Sequence, residues 1–79
     1  SKLEDRALRI LSDLAGVQRE RGRELLILSD GSVRLSLLMA ATGLDAASAR
    51  QALLSHGPGL RQTLEALGAQ LTPASSAPQ

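Results

Sequence analysis

The chain has 79 residues, a formal net charge of +1, 43% hydrophobic residues, and neither cysteine nor aromatic side chains. A chain of this length buries roughly 60% of its unfolded surface, which is enough for one small core but too little for an enclosed active site as well. The lack of cysteine excludes disulfides and thiolate metal sites, and the near-neutral charge without aromatic rings argues against nucleic acid or an anionic membrane as a partner.

The first predicted helix opens the chain and ends before Gly16, a residue suited to a left-handed helix cap. Charged residues occupy the face opposite its apolar stripe, and we expect the pair Glu4 and Asp5 to be surface charges rather than acid–base catalysts. The stripe follows helical spacing and is formed by Leu3, Ala7, Ile10, Leu11 and Leu14.

A second helix is predicted from about Gln18 to Leu28. Its first half is polar and contains Gly22, which disfavours a helix interior by about 1 kcal/mol relative to alanine. Its acidic residues Glu20 and Glu24 are expected on the solvent side. The buried end of this helix is predicted to be formed by Leu25, Leu26 and Leu28.

The segment Asp30-Gly31-Ser32 predicts a turn in which Ser32 caps the next helix. That third helix is predicted from Val33 to about Thr42, where Gly43 ends it. Its inward side chains are predicted to be Val33, Leu37, Leu38 and Ala41.

Asp45 is predicted to cap a fourth helix from Ala46 to Ser55, which Gly57 ends. Its small inward face is formed by Ala49, Ala52 and Leu53. A fifth helix follows, with Pro58 near its start and an apolar stripe of Leu60, Leu64, Leu67 and Leu71. We expect Leu37, Leu53 and Leu64 to be core positions and Gly31, Gly43 and Gly57 to have positive φ.

Residues 1–71 thus predict one all-α domain, a small bundle of about five short helices, and the Pro/Ser/Ala-rich residues 72–79 predict a disordered tail. A chain that begins with Ser1 rather than methionine suggests a segment cut from a larger protein. His56, the single histidine, is expected as an exposed or capping residue rather than a metal ligand or a catalytic base. A DNA-reading role is disfavoured because the candidate recognition helix holds only one arginine, Arg50.

Several short motifs resemble, in order and spacing, the C-terminal helical domain of N-acetylmuramic acid 6-phosphate etherases, a family whose relatives include the glucokinase regulatory protein. The opening asparagine of the family pattern would precede Ser1, and Arg34 stands where the family usually has lysine. The matching runs are Lys2-Leu3, Arg6-Ala7, Gly31-Ser32-Val33-Arg34-Leu35, Thr42-Gly43-Leu44, Ala49-Arg50 with Leu53, and Gly59-Leu60-Arg61.

The resemblance implies a cytoplasmic parent enzyme, a carbon–oxygen lyase that cleaves the D-lactyl ether of N-acetylmuramic acid 6-phosphate during cell-wall recycling without a metal or other cofactor. In that family the catalytic carboxylates belong to a preceding sugar isomerase domain, on which the helical domain packs, and the protein forms a homodimer. It further implies that Lys2 contacts the phosphosugar in the full-length parent, whereas in this chain alone we expect Lys2 to be exposed. No residue of this chain is expected to be catalytic.

A second interpretation is a free-standing interaction module. The three-helix unit from Thr42 to Leu67 is similar to ubiquitin-associated (UBA) domains, which bind other proteins. An upstream sugar isomerase domain in the same reading frame would favour the etherase interpretation over this one.

Overall fold

The computed structural model describes residues 2–57 and 59–73. Pro58 and residues 74–79, most of the predicted disordered tail, lie outside the described residues. The predicted all-α fold class is confirmed, because the described residues form helices and no strand. The five helices are α1 (Lys2–Ala15), α2 (Arg19–Leu28), α3 (Val33–Thr42), α4 (Ala46–Ser55) and α5 (Leu60–Leu67).

Helix α3 is the centre of the bundle, because α1, α2, α4 and α5 all pack against it. Five consecutive residues of α3, from Leu35 to Met39, are buried, so this helix lacks the one-sided apolar stripe of a surface helix. Its neighbours form two clusters of buried side chains around it. One contains Leu25, Leu35, Leu38, Met39, Ala49 and Leu64, and the other contains Leu8, Leu11, Leu26 and Leu37.

Two of the three predicted core positions, Leu37 and Leu64, are buried at 5% and 8% exposure. Leu53 is half-buried and packs against the first cluster. Ala49 is fully buried, which confirms the small inward face of α4. The core therefore lies largely where the aliphatic spacing placed it.

The predicted stripe of α1 is wrong at both of its ends. Leu3 and Leu14 are 79% and 44% exposed, whereas Leu8, which the stripe did not include, is buried at 4%. Leu8 packs in the cluster with Leu11, Leu26 and Leu37, whereas Leu3 lines a concavity between α1 and α2 that is open to solvent.

Three further positions differ from the sequence prediction, and the first is Leu67 on the predicted stripe of α5, which is 38% exposed. Leu28 is 54% exposed. The buried side of α2 lies midway between Leu25 and Leu26. Because each residue of an α-helix turns by 100°, the side chain of Leu28 points about 110° away from that side. Helix α5 ends at Leu67, since Gly68 takes a left-handed conformation with φ of 68°, so Leu71 is not helical. Leu71 nevertheless packs against both clusters from the segment that follows α5.

The predicted turns and caps are confirmed. The Ser32 hydroxyl accepts a hydrogen bond from the Leu35 amide at 3.1 Å, and the Asp45 carboxylate accepts one from the Ser48 amide at 2.7 Å. That amide bond holds the pKa of Asp45 below its ordinary value of 3.8, because it stabilises the ionised form. Gly43 ends α3 at φ of 78°, and positive φ also occurs at Gly31 and Gly57.

Gly22 has a packing role that its sequence context did not indicate. It is buried inside α2, where a Cβ atom would lie 2.8 Å from Cδ2 of Leu8 on α1. That distance is closer than ordinary contact, so the absence of a side chain at this position lets α1 and α2 approach each other. Gly22 thus disfavours the helix locally but permits the close packing of α1 and α2.

Candidate interaction surface

The buried hydroxyl groups of the described residues are used by the fold. Oγ of Ser29 and Oγ of Ser36 lie 2.8 Å apart and join the end of α2 to α3. The Thr63 hydroxyl donates to the carbonyl of Gly59 at 3.2 Å. His56 is exposed at the end of α4, in agreement with its interpretation as a capping or surface residue.

Two ion pairs join the charged faces of α1 and α2. Nη2 of Arg19 lies 2.7 Å from Oδ1 of Asp5, and Nε of Arg23 lies 3.3 Å from Oε1 of Glu4. The hydrogen bond from Arg19 holds the pKa of Asp5 below its ordinary value of 3.8. All four side chains are largely solvated, so these pairs orient the two helices and add little stability. The acidic residues at the start of α1 are surface charges, as predicted.

An apolar concavity on the described surface lies between the first two turns of α1 and the last turns of α2. We call it the α1–α2 groove. It has a volume of about 360 Å³ and is lined by Leu3, Glu4, Ala7, Arg23, Leu26, Ile27 and Gly31. Leu3 and Ile27 are each 79% exposed, so two large aliphatic side chains on neighbouring helices lie open to solvent at one place.

Lys2 is the first residue of α1 and is exposed, next to Leu3 of the α1–α2 groove. A lysine at this end of a helix opposes the helix dipole, whereas Glu4 and Asp5 in the same turn complement it. The exposure of Lys2 agrees with the expectation for this chain by itself. Its contact with a phosphosugar stays a prediction.

Among the described residues, no three side chains of the histidine, cysteine, aspartate and glutamate types lie together in a way that could hold a metal ion. No single described helix is long and apolar enough to cross a membrane, and α2 and α3 reach the required length and composition only as a pair bent by 114°.

The fold and this surface define a small helical domain, and comparison with known proteins gives its relatives. N-acetylmuramic acid 6-phosphate etherases of Synechococcus sp. (strain CC9902), Synechococcus sp. (strain CC9605) and Prochlorococcus marinus (strain MIT 9303) are 58%, 57% and 57% identical to it. The matches cover 90%, 94% and 85% of this chain but 22%, 23% and 21% of those relatives.

The chain is therefore homologous to a C-terminal part of N-acetylmuramic acid 6-phosphate etherases, which confirms the resemblance found in its motifs. It spans about a fifth of the length of the curated relatives it matches. No protein-family model matches the chain, and no solved structure matches it. The predicted similarity of residues 42–67 to ubiquitin-associated domains is not confirmed: this range contains two helices, α4 and α5, rather than the three that were expected.

The groove was not found from the sequence. The helical spacing of apolar residues in α1 predicts Leu3 in the core. The residues predicted to form the buried end of α2 do not include Ile27. The one available signal was that Ile27 lies between Leu26 and Leu28, in a run of four aliphatic residues that a single buried face cannot accommodate.

Proposed function

We propose that this chain is the accessory C-terminal helical domain of a cytoplasmic N-acetylmuramic acid 6-phosphate etherase, and that it packs on a sugar isomerase domain that precedes it in the same polypeptide. The observation that carries the proposal is the homology, at 57–58% identity over 85–94% of this chain, to a C-terminal part of proteins with that name. The exposed α1–α2 groove supports it, because apolar surface on a small domain is suited to contact with another domain.

In this proposal the chemistry belongs to the parent enzyme. The parent, a homodimer, would act as a carbon–oxygen lyase. A carboxylate would take a proton from the carbon next to the ether-bearing carbon of the phosphosugar, and the ether C–O bond would break to release D-lactate. Water would then add across the resulting carbon–carbon double bond to give N-acetylglucosamine 6-phosphate. The helical domain would contribute shape and cover to the site rather than a proton donor or acceptor.

The test begins with the complete reading frame that contains this sequence. The polypeptide it encodes is expected to include an upstream sugar isomerase domain and to release D-lactate from N-acetylmuramic acid 6-phosphate. The 79-residue chain by itself is expected to release none. A frame without such a domain, a complete polypeptide that releases no D-lactate, or ether cleavage by this chain alone would overturn the proposal.

Lys2 is the one residue of this chain to which we assign a role toward substrate. Its ammonium group is a compact charge that can meet a phosphate from several directions. Lys2 is the first residue of α1, and in the proposed arrangement that end of the helix would adjoin the preceding domain. In the full-length parent, Lys2→Ala is expected to lower kcat/KM for the phosphosugar at least tenfold, about 1.4 kcal/mol.

Arg9 provides the matched control, because it is an exposed cation on the same helix. Arg9→Ala is expected to leave kcat/KM unchanged, and Lys2→Arg to retain part of the activity that Lys2→Ala loses. Equal values for the wild type and Lys2→Ala would make Lys2 a surface residue without a role in catalysis.

A further inference from the structure

The α1–α2 groove differs from the single apolar side chains that are exposed on most protein surfaces, because its exposed apolar residues adjoin one another. Isolated exposed leucines are normal on soluble proteins, and Leu54 on α4, at 77% exposure, is such a residue outside the groove. Leu3 and Ile27 are as exposed as Leu54 but share one concavity, whose floor includes the buried Leu26. Adjoining exposed aliphatic side chains in a concavity are suited to receive an apolar side chain of another surface.

The lining of the groove suits a protein surface better than a small molecule. Small-molecule pockets direct several polar groups at the ligand to fix its orientation. Here the charged lining residues are Glu4 and Arg23, which pair with each other at 3.3 Å and leave an apolar strip between α1 and α2. An apolar centre with a neutralised polar edge is the arrangement of a protein–protein interface.

The position of the groove indicates its occupant. The chain matches a C-terminal part of relatives about five times its length, so most of a relative's polypeptide precedes the matched segment. That preceding part joins the helical domain at the start of α1, and Leu3 lies in the first turn of that helix. A surface beside the covalent connection meets its partner at high effective concentration, so even a small contact area is sufficient for packing.

We propose that the α1–α2 groove is the face on which the preceding sugar isomerase domain of the same polypeptide packs, with an apolar side chain of that domain seated between Leu3 and Ile27. This inference rests on the proposed function. It adds the face of the helical domain that makes the contact.

Site-specific thiol labelling of the complete polypeptide tests the assignment. The 79 residues contain no cysteine, so Leu3→Cys, Ile27→Cys and Leu54→Cys each introduce the only thiol of this domain. The three side chains are matched at 79%, 79% and 77% exposure in the helical domain by itself, and differ only in location. Labelling with a maleimide is followed by peptide mass spectrometry, which separates these thiols from any in the preceding domain.

In the full-length parent, labelling of the Leu3→Cys and Ile27→Cys variants is expected to be at least tenfold slower than labelling of Leu54→Cys. Fast labelling of either groove variant, or slow labelling of all three, would overturn the assignment. Protection that disappears on dilution would show that a second copy covers the groove and would also overturn it. These outcomes leave the proposed function standing, whereas a reading frame without a sugar isomerase domain removes the proposed function itself.

Discussion

The contact between Gly22 and Leu8 allows a sharp test of how α1 and α2 pack. In Gly22→Ala the new methyl group would lie 2.8 Å from Cδ2 of Leu8, while the next nearest atoms, on Leu11 and Val17, are at 3.6 and 3.8 Å. Those longer distances are ordinary contacts. Leu8 is therefore the one side chain that has to move, and at 4% exposure it has little space to do so.

Two opposing effects set the magnitude. Alanine in place of glycine stabilises a helix interior by about 1 kcal/mol. Forcing an extra methyl group into a packed core costs about 1–3 kcal/mol. The crowding is expected to exceed the gain in helix propensity, so Gly22→Ala should lower the free energy of unfolding by about 1 kcal/mol.

A double-mutant cycle separates the two effects. Leu8→Val removes the crowding Cδ2 atom and by itself should cost roughly 1 kcal/mol, because it deletes one buried methylene group. In that background, Gly22→Ala is expected to raise the free energy of unfolding, since the propensity gain remains and the clash is gone. Urea unfolding of the four proteins, followed by the helical circular dichroism signal, gives the coupling energy, which we expect at about 1–3 kcal/mol.

Two results would refute this reasoning. A gain of about 1 kcal/mol for Gly22→Ala in the wild-type background would mean that Leu8 moves aside freely. The same change in both backgrounds would mean that the two residues are not coupled, and that the glycine has no packing role.

Three further predictions concern the core, a turn and pH. Leu38→Ala removes a fully buried side chain of the central helix and should cost about 2–5 kcal/mol in urea unfolding; a change below about 1 kcal/mol would place the core elsewhere. Gly43→Ala should cost about 1 kcal/mol in the same assay, because φ is 78° with no neighbouring atom within 4 Å, so backbone strain is the main term. The pKa values of Asp5 and Asp45 are lowered by folding, so their stabilisation is complete above their unfolded-state pKa and is lost as pH falls through the lowered folded-state values. The urea concentration at the unfolding midpoint should therefore decrease as the pH is lowered below about 5. The decrease should be smaller for Asp45→Asn, because asparagine keeps a capping oxygen but does not titrate.

The candidate site shows where sequence reasoning ends. Lys2 was identified through the resemblance to a family, because a lone lysine in a first turn has no local signature of a substrate contact. The α1–α2 groove was missed because Leu3 fits the helical spacing of the apolar residues in α1 equally well whether it packs within its own domain or against another one. Periodicity gives the apolar face of a helix but not the identity of what covers it.

The sequence by itself determined the five helices and most of their ends, the end of α5 at Leu67 being the exception. Ser32, Asp45 and Gly43 act within a few residues of their own positions, through cap hydrogen bonds and a left-handed turn, so their effects can be read from local order. Only the tertiary structure decided which leucines are buried and why Gly22 lies inside a helix. Burial depends on how neighbouring helices pack, and that packing is set by contacts between residues far apart in the chain.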